Sequence, residues 1–231
     1  RNGADFIKIM ANGGVASPTD PIHVLQYSRE EIIAIVEEAN NVGTYVSAHV
    51  YTDAAIRRAV ECGVHSLEHC NLIEKETAEL AAKSGAIACP TLAAYEGLAM
   101  EGEAFGLKPD SVAKIETVRV GGLRSLEILR DAGVPMAYGS DLLGQLHHYQ
   151  SIEFSTRNKV LPAADIIQSA TLISAKLCRL EGQIGELSPG AFADLLVVDG
   201  NPLDDISVLE QHDKLTAIMK GGRFYKNELA A

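Results

Sequence analysis

Apolar and polar positions alternate along this chain between two periods. Residues 5–10 read Asp-Phe-Ile-Lys-Ile-Met, a short strand in which Phe6, Lys8 and Met10 share one face and Ile7 and Ile9 the other. A strand apolar on both faces belongs to a parallel sheet covered by helices. The Gly/Pro-rich stretch 11–26, opening with Asn12-Gly13-Gly14, is long for a plain connector and has room to carry function. Ser28 and Glu31 form a capping box, and Ile32, Ile33, Ile35, Val36 and Ala39 then recur at helical spacing until Gly43. Residues 44–50 are a second strand, and Thr52 caps a helix that turns Ala55, Ile56, Ala59 and Val60 inward. A third strand at 64–68 ends at His69. Residues 74–84 are helical with a stop at Gly85, and 86–90 form a fourth strand. Residues 91–109, with Tyr95, Leu98, Met100 and Phe105, read as a lid, after which Asp110 caps a helix running to Gly133. A fifth strand at 135–139 delivers Ser140 and Asp141 at its end.

Strand and helix in strict alternation with short turns specify a parallel sheet. No glycine-rich phosphate fingerprint follows any strand, so a dinucleotide-binding fold loses support. Past a last helix at 162–176 the texture changes. Residues 185–201 read as turn, strand and turn, and 215–219 with 222–225 flank a glycine turn as a hairpin. The expected organisation is therefore an α/β part over residues 1–179 and a small β segment over 180–231.

Composition narrows the function classes. With 231 residues, 47% hydrophobic, the chain is globular, and a formal net charge of −11 argues against nucleic acid and anionic membrane surfaces. No apolar run approaches a membrane span and no signal peptide opens the sequence. Cys62, Cys70, Cys89 and Cys178 form no C-x-x-C pair, which fits reduced thiols and a cytoplasmic location. The chain starts at Arg1 and enters a core strand within five residues. It is expected to be part of a longer polypeptide, with any upstream targeting segment out of view.

Lys8, His49, His69 and Asp141 all fall at the C-terminal ends of successive parallel strands, the edge that carries active sites in such folds. Each has an ordinary explanation alone. Lys8 is either a lysine reaching to the strand end or paired with a carboxylate, or, since a buried ammonium is costly, a neutral amine that has taken up carbon dioxide as a carbamate. Four such residues on one rim favour a metal site. Two imidazoles, a carboxylate and a carbamate suit zinc or a similar divalent ion. Tyr51 shares a strand face with His49 and is placed to donate to an oxyanion or a substrate carboxylate. His147 follows Asp141 on the same rim and is placed to contact substrate, with His148 solvated. His65 reads as a core histidine, Glu68 as facing the helices, and Cys70 as packing. His23 and His212 have no supporting neighbours.

The ordered set Phe-Ile-Lys-Ile with Asn-Gly-Gly, Ala-His-Val-Tyr, Leu-Glu-His-Cys, Tyr-Gly-Ser-Asp and the tail Leu-Ser-Pro-Gly-Ala-Phe-Ala-Asp-Leu-Leu-Val-Val-Asp-Gly-Asn-Pro resembles the amidohydrolase superfamily. Within it the chain is most similar to the imidazolonepropionase-related branch that includes Xaa-Pro dipeptidases (prolidases). The resemblance runs from Arg1 to about Tyr225 and implies a (β/α)8 TIM barrel with a small β-sandwich built from both chain ends. It further implies Lys8 as a carboxylated bridging ligand, His49 and His69 on one zinc ion, and Asp141 on a second and as the catalytic proton carrier. The family's His-x-His pair on the first strand is absent, and His147-His148 are adjacent rather than spaced. About five barrel strands are therefore expected, with exposed apolar edges, and the chain can be inactive without its missing N-terminal part.

The implied activity is metal-dependent hydrolysis of C–N bonds in a dipeptide or similar small molecule, as an Xaa-Pro dipeptidase or related carboxypeptidase. A bridging water made acidic by two cations would be the nucleophile. Two alternatives stay open. One is a mononuclear imidazolonepropionase- or deaminase-like reaction; the other is a catalytically incomplete fragment serving as scaffold. Homo-oligomers are compatible with this reading, and the substrate's side chain is not specified by it.

Overall fold

The computed structural model describes residues 3–17, 19–102, 104, 106 and 109–229. Phe105 of the expected lid and the side chain of Asp110 as helix cap lie outside the described residues. Four strands, β1 (Ile7–Met10), β2 (Val46–Thr52), β3 (Ser66–Leu72) and β4 (Ile87–Cys89), form one parallel sheet in chain order. The register sets Ile9, Ala48, Leu67 and Ala88 in one row across it. That row is buried against Ile32 of α1 (Arg29–Asn41) and Ile56 of α2 (Asp53–Glu61). Each buried Ile or Leu there contributes about 1.5–3 kcal/mol.

Local signals set the helix ends. Ser28 Oγ accepts from the Glu31 amide, and the Glu31 carboxylate accepts from the Ser28 amide at 2.8 Å, closing the capping box. α3 (Lys75–Ser84) stops at Gly85 in the left-handed region. Thr52 stands at the N-cap of α2 but makes no side-chain capping bond.

Three expectations are corrected. First, the stretch taken as a lid is largely α4 (Leu92–Glu101), with Tyr95 and Ala93 buried. Its first four residues and Gly97 are all buried, so it lacks the one-sided period that marks a surface helix. Second, residues 135–139 are not a strand but a single parallel bridge of Met136 to Ala88. Side chains take the hydrogen bonds that a next strand would make: Arg157 donates to the Ala137 carbonyl, Ser169 to that of Met136, and Ser174 accepts from the Tyr138 amide. The sheet thus has four strands rather than about five. Third, β1 is an edge, not a covered strand. Only Ile9 is buried, while Phe6 (44%), Ile7 (37%), Met10 (45%) and Lys8 are exposed. The open apolar edge matches expectation, and the exposure of Lys8 fits a lysine that reaches to the strand end.

The long α5 (Pro109–Asp131) crosses the end of β3 at close range. A Cβ on Gly121 would lie 2.7 Å from the Asn71 carbonyl oxygen, and Asn71 Nδ2 donates to the Val118 carbonyl at 2.8 Å. After α6 (Ile152–Asn158), a continuous helical stretch runs through α7 (Ala163–Gln168), a π turn at Ser169–Ile173 and α8 (Ser174–Leu177). β5 (Leu195–Val198), β6 (Leu215–Lys220) and β7 (Arg223–Asn227) make an antiparallel sheet. Gly221 and Gly222 turn its hairpin with positive φ at both. Ile206, from a 3-10 turn between β5 and β6, is buried in the core of the parallel sheet. Among the described residues no helix is long and apolar enough to cross a membrane.

Candidate active site

His49 and His69 meet at the C-terminal end of the parallel sheet, with His49 Nδ1 2.8 Å from His69 Nε2. Register alone does not bring them together. His49 pairs with Glu68, and His69 pairs with Val50, which belongs to the helix-facing core. The backbone at His69 (φ 77°) and Cys70 (φ 57°) is left-handed, and this interrupts the pleat and returns the His69 ring to the side of His49. Left-handed conformations are costly for non-glycine residues and cluster at functional sites. Glu68 therefore does not face the helices as expected. Ser47 donates to its carboxylate at 2.8 Å and Ser66 donates to it as well, on the face that carries His49. Cys70 packs in the core, where burial pushes its thiol up.

The outer nitrogen of each ring is held. His49 Nε2–H donates to the Gly13 carbonyl at 3.1 Å, which places the proton on Nε2 and leaves the Nδ1 lone pair facing His69. His69 Nδ1 is 2.7 Å from Thr91 Oγ1, just beyond the end of β4. Tyr51 stacks on His69 (centroids 5.0 Å, 23°) and meets His49 edge-on (4.7 Å, 83°). Tyr95 O–H donates to the Tyr51 oxygen at 3.2 Å, so the Tyr51 proton is left to donate elsewhere.

Burial lowers the pKa of His49, opposed by its bond to Gly13 and aided by the Lys8 charge. His69 is held well below the ordinary histidine value by burial, then by His49 and Lys8. Burial thus favours the neutral form of both rings. Asp141 (φ 46°) puts its carboxylate 4.0 Å from His69 Nε2, half exposed to solvent. Its pKa is raised by burial and by Glu68, while Lys8 pulls it down. Lys8, His49, His69 and Asp141 are thus electrostatic neighbours.

His147 is not brought to the histidine pair. It is exposed on a 3-10 turn (Gly144–Tyr149), and its Nε2–H donates to the Leu142 carbonyl at 2.8 Å. His148 is exposed, and His65 lies half-buried toward the other end of β3, edge-on to Tyr45. Glu68, Thr91, Tyr95 and the Gly13 carbonyl surround the histidine pair; the sequence assigns Glu68 and Tyr95 elsewhere and does not single out Thr91 or Gly13. Thr91 follows a strand end, the criterion that found the histidines, and could have been found the same way.

Among the described residues no three His, Cys, Asp or Glu side chains are grouped as a metal cluster. The donor set nonetheless fits a divalent ion. Two nitrogens on one zinc, each bonded at about 2.0–2.1 Å, stand about 3.3 Å apart in a tetrahedral shell. The imidazole pair at 2.8 Å needs to open only slightly. Each ring already has its outer nitrogen anchored, as metal-ligating histidines do.

The sequence profile described as "Amidohydrolase family" matches residues 1–225. The chain belongs to the amidohydrolase family. Among solved structures it resembles an amidohydrolase at 53% identity, with a TM-score of 0.95 over 99% of this chain and 55% of that one. A prolidase complexed with N-methylphosphonate-L-proline is 49% identical, with a TM-score of 0.94 over 97% of this chain and 55% of the other. Among curated proteins, ochratoxinase from Aspergillus niger is 33% identical over 228 residues, 98% of this chain and 47% of the relative. The chain thus spans about half the length of the proteins that it matches. The mixed α/β architecture with a parallel sheet agrees with this membership.

Proposed function

We propose that this chain carries the C-terminal half of the active site of a metal-dependent amide hydrolase, of the Xaa-Pro dipeptidase kind, built on a (β/α)8 barrel that the full-length polypeptide completes. The observation that carries the reading is the convergence of two outer-anchored imidazoles at 2.8 Å on the mouth of a parallel sheet. The N-methylphosphonate-L-proline of the related prolidase has a tetrahedral phosphorus where an Xaa-Pro peptide has its planar carbonyl, which supports a peptide bond to proline as substrate.

In this proposal His49, His69, Asp141 and a carboxylated Lys8 hold zinc, with two ions in all and a histidine pair from a preceding segment completing the second. When bound, such ions polarise a carbonyl and acidify water. Asp141 takes the proton from the attacking water and passes it to the departing amine. The Tyr51 hydroxyl, aligned by Tyr95, donates to the oxygen that gains charge on the tetrahedral carbon. His147 contacts the substrate only by leaving the Leu142 carbonyl. The location is cytoplasmic, the partner is a dipeptide or similar small molecule, and homo-oligomers are compatible.

The test is metal analysis and a dipeptide panel on the full-length protein. Stoichiometric zinc and cleavage before a C-terminal proline are expected; folded protein with neither would refute the reading. The second reading, a mononuclear cyclic-amide or amidine hydrolase, needs no carbamate at Lys8. Under it, Lys8→Ala would leave turnover largely intact, whereas the two-ion reading expects turnover to collapse.

A further inference from the structure

Asn12 is fully buried, and its side chain spends its whole hydrogen-bonding capacity around the site. Nδ2 donates to the carbonyls of Ile22 (2.7 Å) and Val24 (2.8 Å). Oδ1 accepts from the amides of Tyr51 (2.8 Å) and Thr52 (2.9 Å), with Thr52 Oγ1 at 3.3 Å. Those two amides lie where β2 and β3 shift register, so Asn12 replaces the ladder there. The next residue is Gly13, whose carbonyl takes the His49 Nε2 proton. Its backbone is pressed against the loop, since an added Cβ would sit 2.0 Å from the Pro21 carbonyl oxygen. Lys114 of α5 anchors the far part of that loop through the carbonyls of Gly14 (3.2 Å) and Ser17 (2.6 Å).

We propose that Asn12 is a positioning residue that fixes the tautomer of His49: by clamping the 22–24 loop to the end of β2 it holds the Gly13 carbonyl against Nε2, so that Nδ1 is left bare toward His69. The inference rests on the metallohydrolase reading for its purpose, but not for its test. Without the Asn12 side chain the loop keeps its backbone bonds, Gly13 amide to the Val24 carbonyl at 3.0 Å and Gln26 amide to the Ala11 carbonyl at 3.1 Å, but loses its tie to the Tyr51 and Thr52 amides, which frees the Gly13 carbonyl to shift from His49. The His49 ring could then carry its proton on either nitrogen, and a protonated Nδ1 cannot ligate a metal.

The experiment is long-range 1H–15N NMR of histidine-labelled, metal-free, full-length protein, with zinc affinity measured separately by chelator competition. Wild type is expected to show His49 with its proton on Nε2 alone. Asn12→Asp keeps the acceptor and loses both donors. It is expected to give a mixture of tautomers and zinc binding weaker by about 10–100-fold. Thr52→Val, which removes only the 3.3 Å contact, is expected to leave both readouts unchanged. If Asn12→Asp does not fold, Asn12→Ser takes its place, and the wild-type spectrum alone retains force. A wild-type His49 protonated on Nδ1, or a folded Asn12→Asp that keeps the single Nε2–H form, overturns the inference. Wild type that binds no zinc sinks the hydrolase reading instead, and leaves the tautomer result standing.

Discussion

Replacing Thr91 by valine removes one hydroxyl and almost no volume. That hydroxyl is the sole side-chain partner of His69 Nδ1 among the described residues, at 2.7 Å, in a position that is 3% exposed. Thr91 stands at the N-cap of α4 without a side-chain capping bond, so no cap is lost with it. Its contact to the Tyr95 hydroxyl at 3.4 Å is too long to matter much. The cost then comes from one orphaned, buried ring nitrogen, about 1–3 kcal/mol. Loss of an outer partner of a metal-ligating histidine weakens binding by about 10–100-fold, which is about 1.4–2.8 kcal/mol. The first is read in unfolding and the second in metal affinity, two separate consequences of one lost hydrogen bond. Zinc affinity by chelator competition and urea unfolding, both on full-length protein, measure them separately. Thr91→Ser should restore both. If Thr91→Val bound zinc as wild type does while unfolding more easily, Thr91 would be a packing residue and the orientation argument for His69 would fail.

Three further outcomes follow from the packing and the buried charges. Arg157 and Glu153 are both fully buried and paired at 2.6 Å, and Arg157 also donates to the Pro90 and Ala137 carbonyls. Arg157→Met should therefore lower stability in denaturant by about 3–5 kcal/mol, through the uncompensated carboxylate. Gly121→Ala should destabilise in spite of a helix propensity gain of about 1 kcal/mol, because its Cβ would meet the Asn71 carbonyl at 2.7 Å. A stabilised variant would show that α5 is free to move off β3. Burial raises the phenol pKa of Tyr51 and of Tyr95 above the ordinary 10.0. The native state then releases these protons later than the unfolded chain, so their contribution to stability is whole below pH 10 and fades as the pH climbs past it. Phenolate absorbance of the two should appear together with unfolding; ionisation near 10 in the folded protein would contradict the burial argument.

What could be read from the sequence was whatever is local or repeats. The Ser28–Glu31 box, the stop at Gly85 and the parallel order of the first four strands each depend on a few neighbouring residues or on a period. The rim rule set His49 and His69 at one end of the sheet, where their rings meet, but a regular pleat would not have brought the second ring to the first. Two left-handed residues, His69 and Cys70, carry no glycine to announce them, so Glu68 was assigned to the wrong face. The strand around Lys8 reads as covered because it is apolar on both sides, and its place at the sheet edge depends on what pairs with it. The segment at 135–139 reads as a strand from its apolar run. Only the structure shows Arg157, Ser169 and Ser174 taking over its backbone groups.

The most direct measurement is anomalous diffraction from crystals of the full-length protein grown with zinc. A peak bonded to both His49 Nδ1 and His69 Nε2 at about 2.0–2.1 Å is expected, with added density at Lys8 Nζ for a carbamate. Zinc bound elsewhere, or those two nitrogens still hydrogen-bonded to each other in saturating zinc, would contradict the account.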